Sequence, residues 1–187
     1  IFSIYYSRYQ SVCLITTCLF CLLQQNAYAE KAPEYKLKAT FLFHFLEFTK
    51  WPSSKNDNKT ICILGRNPFN NYMQELASIV INEHKTLIKY IRNINDSDGC
   101  HILFISRSEK NNISQILDTL ENRPLLTVSD IRNFATNSGM IELSRKSNKT
   151  KLIINLNSVR KSGLKLNSNL IDLAQVVGGK QTSAGSG

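Results

Sequence analysis

The chain has 187 residues, a formal net charge of +9 and five cysteines. This length supports one hydrophobic core of ordinary size. The lysines and arginines are spread along the whole chain without the interleaved aromatic residues of a single-strand binder, which argues against a nucleic-acid partner.

The first residues form a separate segment. Residues 12–23 carry no charge and are fewer than the roughly 20 that a membrane-spanning helix needs. Residues 27–29 follow as a small-x-small cleavage site. The pattern predicts a secretory signal peptide over residues 1–29, cut before Glu30, with a retained anchor as the alternative. We therefore expect an exported protein.

An apolar helix is predicted next, opening at Pro33 and stopping at Trp51-Pro52. Two apolar stripes cover about half of its circumference, against the ~100° of a one-sided surface helix, and Lys38 alone interrupts them. Packing on a sheet uses one stripe, so the other is either a partner-binding surface or the face of a helix wedged inside the protein. The residues that we assign to the partner surface are Leu37, Phe41, Phe45 and Phe48.

Two apolar runs predict buried strands, residues 60–65 and the central run 100–106. They carry Cys62 and Cys100, the two cysteines that remain after signal cleavage. In an oxidising compartment two cysteines favour a disulfide, and two buried thiols are the alternative.

The remaining pattern predicts a single α/β domain over residues 30–177, a three-layer sandwich with a mostly parallel central sheet. An antiparallel hairpin is expected on the sheet edge. The Gly/Ser-rich residues 178–187 are expected to be a disordered tail. The other predicted elements are a helix from Asn67-Pro68 to about Val80, a strand at 87–91, a helix ending near Leu120, a strand at 125–128, the hairpin strands 139–143 and 151–156, and a helical region 159–177 interrupted near Gly163.

Catalysis is not predicted. His44, His84 and His101 lack metal-ligand spacing. His44 and His101 are interpreted as structural, and Ser129-Asp130 is interpreted as a helix cap. We therefore predict no catalytic residue, metal or cofactor. The alternative to a protein-binding regulator is a small-molecule sensor. Its ligand would bind near Gly65, Asn67 and Ser106, at the carboxyl ends of the strands.

Several stretches, taken in order, resemble the YfiR family over nearly the whole mature chain. They are residues 38–45 with Trp51-Pro52, 61–65, 67–69, 100–106, 123–130, 139–141, 154–156 and 163–166.

This resemblance implies a periplasmic regulator without enzymatic activity. Such a protein binds the periplasmic domain of an inner-membrane diguanylate cyclase, or of a similar membrane sensor, and thereby controls cyclic di-GMP and biofilm formation. The resemblance also implies a homodimer and an internal bridge between Cys62 and Cys100. A second cysteine pair of some relatives is absent, because no cysteine follows Cys100.

Overall fold

The computed structural model describes residues 33–52, 58–79, 85–146 and 149–178. The predicted signal peptide, its cleavage before Glu30 and residues 179–187 of the predicted tail lie outside these ranges. The chain separates into two compact units, Ile1–Leu37 and Lys38–Gly187. The described residues of the first unit are helical, and the second unit contains all the strands. The single domain over residues 30–177 stays a prediction.

The helix α1 occupies residues 33–48 of the described chain. The other elements follow it in the order β1 (Thr49–Lys50), β2 (Lys59–Leu64), α2 (Tyr72–Ala77), β3 (Thr86–Ile91), β4 (Ile102–Ile105), α3 (Ile113–Thr119), β5 (Leu126–Ser129), β6 (Ile141–Lys146), β7 (Lys149–Asn155), α4 (Leu156–Lys161), β8 (Lys165–Leu166), α5 (Ser168–Asp172) and β9 (Gln175–Val177). Short 3-10 turns precede β4 and α3, at Ile94–Ser97 and Arg107–Asn112.

Seven strands form the central sheet, in the order β3-β2-β4-β5-β6-β7-β9. All neighbouring pairs are parallel except β6 and β7, which form an antiparallel hairpin. The helices lie around this sheet, which confirms the predicted α/β fold class. Strands β1 and β8 form a separate two-stranded antiparallel sheet.

Strand β4 is covered on both faces, as its unbroken apolar sequence predicts. Each of its four residues is 0% exposed. Leu103 and Ile105 belong to a core cluster that also contains Ile116 of α3. Because side chains alternate along a strand, Phe104 points the other way, and its ring meets Phe69 with centroids 4.7 Å apart.

The expected edge position of the hairpin is wrong. Strand β9 pairs in parallel with β7, placing Val176 opposite Ile154, and is itself the edge of the sheet. A three-residue strand is too short to show a period-2 pattern, and only its pairing with a distant strand defines it.

The predicted helical region 159–177, interrupted near Gly163, is right only in part: helices α4 and α5 lie on either side of Gly163, but strands β8 and β9 occupy the rest of the region. Gly163, with φ +74°, follows α4 and adopts a left-handed conformation that glycine tolerates. The next residues pair with β1, and the amide of Asn167 donates to the carbonyl of Phe48 at 2.8 Å. The same pairing explains why α1 ends at residue 48 instead of continuing to Trp51.

The helix predicted after Pro68 begins later, at Tyr72. Asn67 does not cap it. The Asn67 side chain instead accepts a hydrogen bond from the amide of Phe69 at 2.9 Å, in an Asx turn.

Candidate functional site

A disulfide joins Cys62 and Cys100 and confirms the predicted bridge. Their Cα atoms are 5.8 Å apart, and 38 positions separate them in the sequence. Cys62 lies within β2, and Cys100 lies in the turn before the neighbouring strand β4. Closing a loop of this length stabilises the folded state by about 3–4 kcal/mol in the chain-entropy description.

His101 follows this cysteine and holds the entry to β4. Its amide donates to the carbonyl of Thr60 at 2.8 Å, and its Nδ1 accepts from the amide of Thr60 at 3.2 Å. An accepting Nδ1 places the proton of the neutral ring on Nε2. Desolvation by burial, and then the charge of Lys59, lower the pKa of His101 below its ordinary value. The Nδ1 atom of His101 is therefore used within the protein.

Trp51 packs beside His101. The two rings meet edge to face with centroids 5.4 Å apart, and the Lys59 ammonium lies 5.3 Å from the centre of the indole. The geometry combines an aromatic pair with a cation–π contact.

A cavity of about 240 Å³ opens at this place, at the amino ends of β4 and β5. We call it the Trp51 cavity. Its lining residues are Trp51, Pro52, Gly99, Cys100, His101, Arg123, Pro124 and Leu125. This cavity was not predicted from the sequence, although Trp51-Pro52 and Arg123-Pro124 both lie in the stretches that carry the family resemblance.

A larger cavity, of about 340 Å³, lies between α3, α4 and the start of β6. Its lining contains no aromatic side chain and includes the exposed pair Lys161 and Glu121, whose charged atoms are 3.7 Å apart. We give more weight to the Trp51 cavity, because ligand pockets combine apolar and aromatic walls with a few placed polar groups.

The residues predicted to bind a ligand lie at the opposite ends of the strands, which are the carboxyl ends of β2 and β4. The amide of Gly65 donates to the carbonyl of Ile91 at 3.2 Å, and the amide of Ser106 donates to the carbonyl of Leu64 at 3.0 Å. Asn67 is engaged in its Asx turn. These groups are therefore used within the protein, and their ligand-binding role stays a prediction.

A buried ion pair lies near the carboxyl end of β5. Lys38 Nζ lies 2.6 Å from Asp130 Oδ2, and the two side chains are 0% and 1% exposed. Arg107, which is largely exposed, approaches the same carboxylate oxygen at 3.2 Å. One sequence pattern is consistent with this pair: Lys38 interrupts the apolar arc of α1, and Asp130 directly follows a buried strand. Their contact joins α1 to the end of β5.

The predicted partner surface on α1 is only partly open. Leu37, in the first unit, is 46% exposed. In the second unit Phe41 and Phe48 are half-buried, whereas Phe45 is fully buried. The Phe41 and Phe45 rings are 6.1 Å apart at their centroids, so Phe45 supports Phe41 from inside the core. The expectation that Phe45 belongs to an exposed surface is therefore corrected.

Among the described residues, no cluster of three or more histidine, cysteine or acidic side chains could hold a metal ion. Within the same ranges, no helix has both the length and the apolar character needed to cross a bilayer.

Residues 35–175 match the sequence model of the YfiR/HmsC-like family. The chain belongs to this family. The match covers most of the chain, from α1 to β9, and confirms the resemblance identified in the sequence. The YfiR/HmsC-like family is regulatory and not catalytic. A comparison with curated proteins gives no match.

Proposed function

We propose that this YfiR/HmsC-like protein is a periplasmic negative regulator. It binds the periplasmic domain of an inner-membrane signalling protein, a diguanylate cyclase, and holds that enzyme inactive. Its release raises cyclic di-GMP and favours biofilm formation. The observation that carries the proposal is the family match over residues 35–175.

Two further features support export to the periplasm. The first 29 residues have the pattern of a cleavable signal peptide. The bridge between Cys62 and Cys100 belongs to an oxidising compartment, because cytosolic thiols are kept reduced.

We propose that the cyclase contacts α1 around Phe41 and Phe48, whose rings are half-buried and keep an exposed part. Aromatic side chains supply much of the binding energy at protein interfaces. Leu37, in the first unit, is 46% exposed and belongs to the same predicted set. A homodimer is part of the proposal and rests on the family resemblance alone.

The test is the cellular level of cyclic di-GMP. Deleting the gene should raise this level and increase biofilm, and a plasmid copy with its signal segment should restore both. A matched copy that lacks residues 1–29 should remain in the cytoplasm and restore neither. An unchanged cyclic di-GMP level in the deletion strain would contradict the proposal.

A small-molecule sensor acting with a membrane partner is the second candidate. The Trp51 cavity favours it, because that cavity offers an aromatic wall and a cation at one place. The prediction of a ligand near Gly65, Asn67 and Ser106 is tested by measuring the thermal stability of the protein with a panel of metabolites. A metabolite whose thermal stabilisation is abolished by the S106A substitution would support it, and no stabilisation across a broad panel would count against it.

A further inference from the structure

We propose that the Trp51 cavity binds a small aromatic carboxylate. This site is distinct from the predicted partner surface on α1, and it does not depend on the identity of the membrane partner. It lies at the amino ends of β4 and β5, whereas Gly65 and Ser106 lie at the carboxyl ends of β2 and β4.

The walls of the cavity suit a flat apolar ring. The indole of Trp51, the rings of Pro52 and Pro124 and the side chain of Leu125 supply apolar surface. Prolines and aromatic rings lose little conformational entropy when a ligand binds, since few of their torsions are free. A volume of about 240 Å³ lies below the usual range for ligand pockets, which favours a single substituted ring over a larger molecule.

Arg123 supplies the charge that selects an anion. One of its terminal nitrogens donates to Ser97 Oγ at 3.0 Å, and the other donates to Asp98 Oδ1 at 2.7 Å. These contacts hold the guanidinium in place, and the Arg123 side chain is 32% exposed. A fixed guanidinium binds a carboxylate well, because its donors match the two oxygens.

The neighbouring groups reinforce this selection. His101 carries its proton on Nε2 and offers a neutral donor beside the indole. The Lys59 ammonium, 5.3 Å from the centre of the Trp51 ring, adds positive potential. The acidic neighbour is Asp98, whose side chain is 88% exposed and which competes with a ligand for Arg123.

Trp51 is the only tryptophan of the chain, so its fluorescence reports on this cavity. We expect benzoate to change the fluorescence of the mature protein, residues 30–187, in a saturable way at constant ionic strength. Benzyl alcohol, which keeps the ring without the charge, and cyclohexanecarboxylate, which keeps the charge without the aromatic ring, should each bind more weakly. N-acetyltryptophanamide titrated in parallel corrects for collisional quenching.

Two variants should move the affinity in opposite directions. Replacing Arg123 by glutamine (R123Q) should weaken benzoate binding by about fivefold or more, because the charged partner is lost. Replacing Asp98 by asparagine (D98N) should tighten it, because a competing carboxylate is removed. The R160Q variant, which changes an exposed arginine of α4, should bind like the wild type.

The proposal is overturned if benzoate gives no saturable change in the wild type, or if R123Q and D98N both leave its affinity unchanged. Should R123Q fail to fold, as judged by its circular dichroism, the D98N result decides alone. Tighter binding by D98N supports the site, and equal or weaker binding rejects it.

Discussion

His101 shows how one side chain can serve several contacts at once. Its Nδ1 accepts the amide hydrogen of Thr60, and its ring packs edge to face on Trp51. Protonation would remove the acceptor and place a positive charge near Lys59, which is consistent with a pKa lowered by desolvation first and by Lys59 second. The neutral ring is therefore the form that the fold requires.

We predict that His101 makes the folded state less stable as the pH falls. Because the pKa of His101 is lower in the folded state, the unfolded chain binds more protons as the pH falls below about 6.5. The contribution of His101 to stability is complete above that pH and is lost progressively toward its folded-state pKa. The free energy of unfolding in urea, measured between pH 7.5 and 5, should fall more in the wild type than in H101N.

The asparagine in H101N retains an acceptor for the Thr60 amide and does not titrate. All other ionisable groups are shared by the two proteins. Equal losses of stability in wild type and H101N over this range would show that His101 does not titrate as described.

Lys38 and Asp130 form a buried ion pair. A buried charge without its partner is costly, so removing one member of such a pair destabilises a protein by about 3–5 kcal/mol. We expect K38M to approach the lower end of this range, since Arg107 still reaches Asp130. The double variant K38M/D130L should be distinctly more stable than K38M.

Chemical denaturation of the three proteins measures these differences. The matched control is K161M, because the pair of Lys161 with Glu121 is exposed and should contribute less than about 1 kcal/mol. If K38M lost no more stability than K161M, the ion pair would not anchor α1 to the end of β5.

At the scale of elements, helix α1 divides its apolar residues between the core and a partly open surface. Ala39, Leu42 and Phe45 are fully buried. Phe41 and Phe48 are half-buried, and His44 and Glu47 form an exposed pair on the same helix. One stripe therefore enters the core and part of the other stays accessible, and the role of that accessible part as a partner-binding surface stays a prediction.

This division predicts where partner binding is sensitive. F48K places a charge on the proposed contact surface and should weaken capture of the membrane partner by at least about tenfold, as the loss of a central aromatic contact does. Q115K adds the same charge at an exposed position of α3, away from this helix, and should bind normally. Affinity is measured with solubilised membranes of the deletion strain, after both variants have been shown to melt cooperatively.

Normal binding by F48K, with its fold intact, would show that this part of α1 is not the contact surface. Equal losses in F48K and Q115K would point to a general effect of added positive charge.

At the scale of the whole molecule, the buried strands were predictable and the short pairing strands were not. Residues 60–65 and 100–106 are apolar at odd and even positions alike, so their place inside a parallel sheet follows from local sequence. Strands β1, β8 and β9 have two or three residues each and exist only through hydrogen bonds to distant segments. No local pattern specifies such pairing.

The sites follow the same rule. The pairing of Cys62 with Cys100 was accessible from the sequence, because only two cysteines remain after the signal segment and each lies in a buried run. The Trp51 cavity unites residues 51, 101 and 123, and the ion pair unites residues 38 and 130. Side chains that far apart in the chain become neighbours only through the order of the strands.

We propose that the protein inhibits a membrane diguanylate cyclase, and the rate of cyclic di-GMP synthesis by isolated membranes measures this inhibition. Membrane fragments from the deletion strain are supplied with GTP, and purified mature protein is added in increasing amounts. We predict that the rate of cyclic di-GMP synthesis falls to a saturable minimum, and that F48K inhibits much less than Q115K. A rate that stays constant or rises as the wild-type protein is added would contradict the account.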